Sequence, residues 1–224
     1  MRFGLIQAFA LLSGVALCVG HYFIWSYAPL EQTMGEVQKI FYVHLPLAWW
    51  ALFSFLLNFI ASSVYLFKHD KRWDTLAGSA AEVGVVFSGL ALITGSIWAR
   101  HSWGVWWTWD PRLMTTLIMW YIYAGYLVVR ALGMHPERKA VVCAVIGVVA
   151  FLDVPLVFYS SKIWGSYMHP PDIVRTSGGL DPQMRTTLFV NLAAWTFIWL
   201  CLLVLRTRQM AAAARLDGLA TYDE

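Results

Sequence analysis

The chain has 224 residues, 59% of them hydrophobic and only 13% charged, with a net charge of +3 and a mean hydropathy of +0.60. A soluble domain carries about a quarter charged residues, so this composition belongs to an integral membrane protein and the small positive excess is read as topology. No basic cluster interleaves with aromatics on a polar face, which sets nucleic acid aside as a partner.

Six segments are long enough to cross about 30 Å of hydrocarbon at about 1.5 Å of rise per residue. They run roughly from Phe3 to Tyr27, Leu45 to Phe67, Thr75 to Ala99, Leu113 to Leu132, Ala140 to Tyr159 and Met184 to Leu205. The expected fold is therefore a single all-α membrane domain over residues 1–224, with no soluble domain and no linker. The first run has one arginine and no small-residue cleavage site, and is read as a retained helix. The three cysteines, Cys18, Cys143 and Cys201, lie in apolar runs. They form no CxxC and no CxxCH, which argues against thiol-redox work, zinc and self-attached c-type haem.

Lys/Arg bias sets the sidedness. With the N-terminus in the cytoplasm, the inner side holds ten cations (Arg2, Lys68, Lys71, Arg72, Arg130, Arg138, Lys139, Arg206, Arg208 and Arg215). The outer side holds six (Lys39, Arg100, Arg112, Lys162, Arg175 and Arg185). Both termini are thus expected inside, with a cytoplasmic tail over about residues 206–224. The outer segments are then about 28–44, 100–112 and 160–183. Asp110-Pro111 and Asp181-Pro182 each read as a helix start, aspartate suiting the N-cap and proline the first helical position.

The second outer segment contains WGVWWTWD, Trp103 to Asp110, with four tryptophans in eight residues. An aromatic belt at the membrane interface accounts for Trp25, Tyr27, Trp73 and Trp195. It accounts poorly for four tryptophans from one loop, and a platform for a flat ligand is the competing reading. Histidines flank this loop on other segments. His44 in FYVHLPLAWW stands two residues before Pro46, at or just above the first turn of the second helix. His169 in KIWGSYMHPP stands near Trp164 and Tyr167 in the last outer segment. Two imidazoles at one depth beside an aromatic wall are what a planar metal macrocycle needs. Arg100, Arg112, Lys162, Arg175 and Arg185 could grip its carboxylate tails.

The run Trp103-Gly104-Val105-Trp106-Trp107-Thr108-Trp109-Asp110-Pro111-Arg112-Leu113 resembles the tryptophan-rich "WWD" signature of the haem-handling membrane proteins of cytochrome c biogenesis. Among these the chain resembles the CcmC family, over nearly its whole length. The resemblance implies that His44 and His169 are the axial ligands of haem iron. It implies that Trp103, Trp106, Trp107, Trp109 and Asp110 form the haem-contacting platform, with Arg112 on the arginine of the signature. His101 matches no family role. Further implications are a transiently held haem b, an inner-membrane location in a bacterium, and delivery to the haem chaperone CcmE beside the ABC-type complex CcmAB and the single-span helper CcmD. The chain has no GxxxxGK[ST] motif, so any ATP-dependent step falls to a partner. A haem-holding delivery protein is expected, not an enzyme.

Two carboxylates fall inside spans, Glu82 in the third and Asp153 in the fifth, and ionisable groups at such depth default to a functional hypothesis. Asp153 is placed to bond across a kink made by Pro155, which frees the carbonyl of Phe151. Glu82 suits packing or a partner helix. Gly84 and Ser88, with Gly89 and Gly95, mark the third span as a close-packing element. Two rivals to haem delivery stand. One is a bis-histidine cytochrome b that passes electrons to quinone, which would purify with stoichiometric haem. The other is a haem transporter, for which no continuous polar line through the helices is evident.

Overall fold

The computed structural model describes residues 4–166, 169 and 179–220. Helix α1 runs Leu5–Tyr22 and continues through a π turn, Phe23–Tyr27. A 3-10 helix, Glu36–Ile40, leads without a break into α2, Phe41–Lys68. Then follow α3, Lys71–Trp103, and α4, Pro111–Ala131. The chain continues through α5, Pro136–Ala150, α6, Asp153–Trp164, and α7, Pro182–Ala220. Among the described residues, 6 helical stretches are long and apolar enough to cross a membrane, α5 and α6 together making the fifth. The shortest, α4, has 21 residues, a rise of about 31 Å.

The helix starts follow the expected chemistry. Asp70 caps α3 by accepting from the Arg72 amide, and Asp110 caps α4 in the same way with Pro111 at the first helical position. Asp181 accepts from the Gln183 amide at 2.7 Å. Each satisfies an amide that the helix leaves without a partner.

The structure gives the helix bounds in detail and corrects the reading of Asp153. Residues 36–44, assigned above to an outer segment, are helical, because Phe41 and Tyr42 are buried against Ile24, Met184 and Leu188 and Pro46 tolerates a turn ahead of it. Residues 100–103 belong to α3, so Trp103 ends a helix and only residues 104–110 form the loop. The fifth span is broken at Phe151–Leu152. Pro155 has no N–H for the Phe151 carbonyl, and the Val154 amide takes that carbonyl instead at 3.1 Å. Asp153 does not bridge the break: its Oδ2 is buried with no hydrogen-bond partner among the described residues. Residues 206–220, the greater part of the expected tail, continue α7 as helix. Arg2, Phe3, Tyr167 and Arg175 lie outside the described residues.

α2 packs along the length of α3, α1 lies on α7, and α4 contacts α3, α5 and α6. Small residues make the α2–α3 contact possible. A Cβ at Gly84 would lie 2.5 Å from the Phe55 ring, and Phe55 stacks on Tyr123 of α4 at 3.7 Å between centroids. Ser88 donates to the Gly84 carbonyl at 2.6 Å. Asn58 of α2 is fully buried and donates to the Ala77 carbonyl of α3 at 2.8 Å. Trp195, half-buried, meets Phe87 edge-on and packs against the main core. At the end of the bundle away from the tryptophan loop, Glu82 pairs with Arg206 and Asp74 with Arg130 at 2.8 Å. The intramembrane Glu82 is thus the partner of a cation on α7.

Candidate functional site

The tryptophan loop is held by its backbone and leaves its rings free. Gly104, at φ 74, closes α3 in the left-handed conformation that glycine adopts without strain. The Arg100 guanidinium donates to the Gly104 carbonyl, and Ser96 donates to the Trp106 carbonyl at 2.6 Å. At the other end the Asp110 cap fixes the start of α4. Between these anchors Trp106 is 59% exposed and Trp109 78% exposed, while Trp107 is half-buried. Rings this large lose solvent-facing area readily to a flat partner, on the order of 150–250 Å² each.

His44 stands on α2, one turn inside the helix, against α3. Its Nδ1 lies 3.0 Å from the Thr94 hydroxyl, and its ring meets Trp98 edge-on at 5.9 Å. Trp98 leans in turn on Trp103, with centroids 6.4 Å apart. A chain of aromatic contacts thus runs from His44 to the start of the loop. Gly95 leaves room for the imidazole: a Cβ there would lie 3.0 Å from His44 Cε1.

His169 reaches the site from the segment after α6. Its Nδ1 lies 3.5 Å from Asp110 Oδ1, too far for a normal hydrogen bond but close for an electrostatic contact. Ser166 donates to Asp110 Oδ2 and accepts from the His169 amide at 2.9 Å. Asp110 therefore does two jobs: it caps α4 and, through the Ser166 hydroxyl, holds the backbone amide of His169. Burial holds the His169 imidazole below its usual range, and the Arg112 charge adds to this against the weaker opposing pull of Asp110. The ring is neutral at pH 7, the state in which it can donate a lone pair. His44 and His169 lie within electrostatic reach of each other.

Arg112 is committed to structure. It donates to the Phe158 carbonyl at 3.1 Å and to the Ser161 hydroxyl at 2.6 Å, tying α4 to α6, although its Nε is buried without a partner among the described residues. Arg100 lies 6.0 Å from the centre of the Trp106 ring, and Lys162 is exposed. His101 faces elsewhere. It lines a cavity of about 530 Å³ with His21, Trp25 and Lys39, which Arg100 and Trp106 border from the side of the loop.

Seven of the eight sequence-predicted residues thus gather at one end of the bundle around a half-open aromatic face. Arg112 joins them as a strut. Thr94, Gly95, Trp98 and Ser166 belong to the site and were not singled out for it. The only signal for them was the small-residue content of α3, which pointed to packing alone. The donor set fits haem. Among the described residues no cluster of three His, Cys, Asp or Glu could hold a bare ion. Two imidazoles suffice for haem, because the porphyrin supplies the equatorial donors.

Comparison with known proteins agrees in extent. The family model described as "Heme exporter protein C" matches residues 2–220. A protein of that name from Paracoccus denitrificans is 30% identical over 93% of this chain and 88% of its own length. One from Bradyrhizobium diazoefficiens is 33% identical over 78% of this chain and 67% of its own. A "putative cytochrome c biosynthesis ccmC-like mitochondrial protein" of Marchantia polymorpha is 29% identical over 84% and 79%.

Proposed function

Because the chain belongs to the CcmC family of heme exporter proteins, we propose that it holds haem between His44 and His169, against the tryptophan loop, and hands it on for cytochrome c maturation. The observation that carries this reading is the convergence of two imidazoles from distant segments. Each has its Nδ1 edge turned to a polar group of the protein, beside rings that remain exposed. Haem brings an iron that accepts two axial nitrogens and a flat apolar face with anionic edges. His44 and His169 supply the nitrogens, and Trp106, Trp107 and Trp109 cover the face. Lys162 is the exposed cation nearest in kind to what a propionate needs, while Arg112 is engaged with α6 and Arg100 already donates to the Gly104 carbonyl beside Trp106.

The site is built for release as well as capture. Its aromatic wall is half open, so a partner's side chain can approach and displace a histidine. In this reading both termini are cytoplasmic, the loop faces the outer side of a bacterial inner membrane, and the receiver is the haem chaperone CcmE. CcmAB and CcmD complete the complex. The ten-to-six distribution of Lys and Arg supports the orientation.

Haem occupancy tests the function. Protein purified from cells making haem b should carry little or variable haem, take it up when supplied, and lose it to an acceptor protein with a free histidine. Stoichiometric haem that resists transfer and is reduced by quinol would instead identify an electron-transfer cytochrome b.

A further inference from the structure

An imidazole offers iron one nitrogen, and the proton on the other decides which. At His44 the protein has made that choice. The Thr94 hydroxyl has a single proton. Its oxygen lies 2.8 Å from the Leu90 carbonyl one turn back in α3, with the Ala91 carbonyl further off at 3.2 Å. This is the bond a threonine inside a helix normally makes. With the proton committed to the helix, the oxygen has only lone pairs to offer His44 Nδ1 at 3.0 Å. Nδ1 must then be the protonated nitrogen, and Nε2 keeps its lone pair. The Ala91 backbone, three residues before Thr94 on α3, is a further hydrogen-bond partner of the His44 ring.

The surroundings reinforce this orientation. A Cβ at Gly95 would lie a tight 3.0 Å from His44 Cε1 and 3.5 Å from Nδ1, so α3 packs closely on the Nδ1 edge of the ring. Trp98 limits its rotation from the side. Thr94 and Trp98, four residues apart, lie on successive turns of α3, and Gly95 stands next to Thr94 on the side that meets His44.

We propose that Thr94 is a positioning residue for haem: it holds His44 as the Nδ1–H tautomer, so that Nε2 is the nitrogen that binds iron, and Gly95 clears the space this orientation needs. The inference rests on the reading of His44 as an axial ligand. Asp110 stands behind His169 in the corresponding place, 3.5 Å from Nδ1. At that distance the carboxylate acts on His169 through its charge and not through a hydrogen bond, so only the His44 tautomer is fixed by a bonded partner.

Histidine-selective ¹⁵N NMR of the haem-free protein tests the tautomer directly, with the His44 signals assigned by their loss in His44→Ala. The wild-type protein should show His44 protonated on Nδ1. Thr94→Val keeps the shape and removes the acceptor. It should redistribute the proton toward Nε2 and weaken haem binding about ten-fold or more. Thr94→Ser should retain both the tautomer and the affinity. A wild-type His44 protonated on Nε2 overturns the proposal without recourse to any variant. So does a Thr94→Val protein with unchanged tautomer and affinity. If His44→Ala binds haem normally while the tautomer is as stated, it is the axial assignment that fails. If His44→Ala loses haem and Thr94→Val changes nothing, only the role of Thr94 fails.

Discussion

At the scale of single residues, the chemistry turns on which groups are free and which are engaged. Arg112 shows the distinction. Its place beside the loop made it a candidate for gripping a propionate, yet its guanidinium holds α4 to α6 and its charge bears on His169. The pH behaviour of His169 follows. Burial and Arg112 both disfavour the protonated ring, so in the haem-free protein His169 should titrate below the usual 6.5. The neutral, ligating form then persists as pH falls through 7 and is lost only at lower pH. Asp110 opposes this, so Asp110→Asn should lower the midpoint further, and asparagine still caps α4. An NMR titration of the ring would check both, and a wild-type midpoint above 6.5 would contradict the account.

At the scale of elements, two devices carry the site: the anchored loop and the close α2–α3 contact. Replacing Trp106, Trp107 and Trp109 together with alanine removes most of the exposed aromatic face. The anchors at Gly104, Ser96 and Asp110 are untouched, so the protein should insert normally, bind haem at least ten-fold more weakly, and support less cytochrome c maturation. Normal haem content in that variant would return the loop to the role of an interfacial belt. Gly84→Ala tests the helix contact. Its methyl would lie 2.5 Å from the Phe55 ring, whereas a methyl at Gly125 meets nothing within 4 Å. Overpacking of this kind costs about 1–3 kcal/mol, so thermal unfolding in detergent should come earlier for Gly84→Ala and stay unchanged for Gly125→Ala.

Elements also show what could be read from the sequence. The six spans, the Asp-Pro helix starts and the tryptophan loop were legible, because each depends on neighbours in the chain. The break at Phe151–Leu152 was half legible: Pro155 announced it, but not that Val154 would take the freed carbonyl and leave Asp153 alone. Thr94 and Trp98 were not legible. They matter only because α3 lies against α2, and Thr94 is fifty residues from its partner. Hydropathy finds a span without showing which of its faces meets a histidine.

At the scale of the whole molecule, the two ends differ in kind. One end joins carboxylates to arginines, Asp74 with Arg130 and Glu82 with Arg206. The other carries the tryptophan loop, His44 and His169, with Arg100 and Lys162 nearby. Orientation in the membrane thus decides where haem is presented. In a protein whose own cysteines are replaced, a probe that cannot cross the membrane should label Val105→Cys in intact cells and spare Lys71→Cys. Preferential labelling at position 71 would invert the topology and place the site on the wrong side for delivery.

The claim on which the rest depends is that His44 and His169 together hold haem iron. Its most direct measurement is the absorbance spectrum of haem-loaded protein for the wild type and for His44→Ala, His169→Ala and His101→Ala. Two imidazoles give a six-coordinate, low-spin centre, so the wild type and His101→Ala should share that spectrum. His44→Ala and His169→Ala should each lose it and retain less haem, and added imidazole should restore it in part by filling the vacated position. An essential His101 beside a silent His169, or three variants with unchanged spectra, would contradict the account.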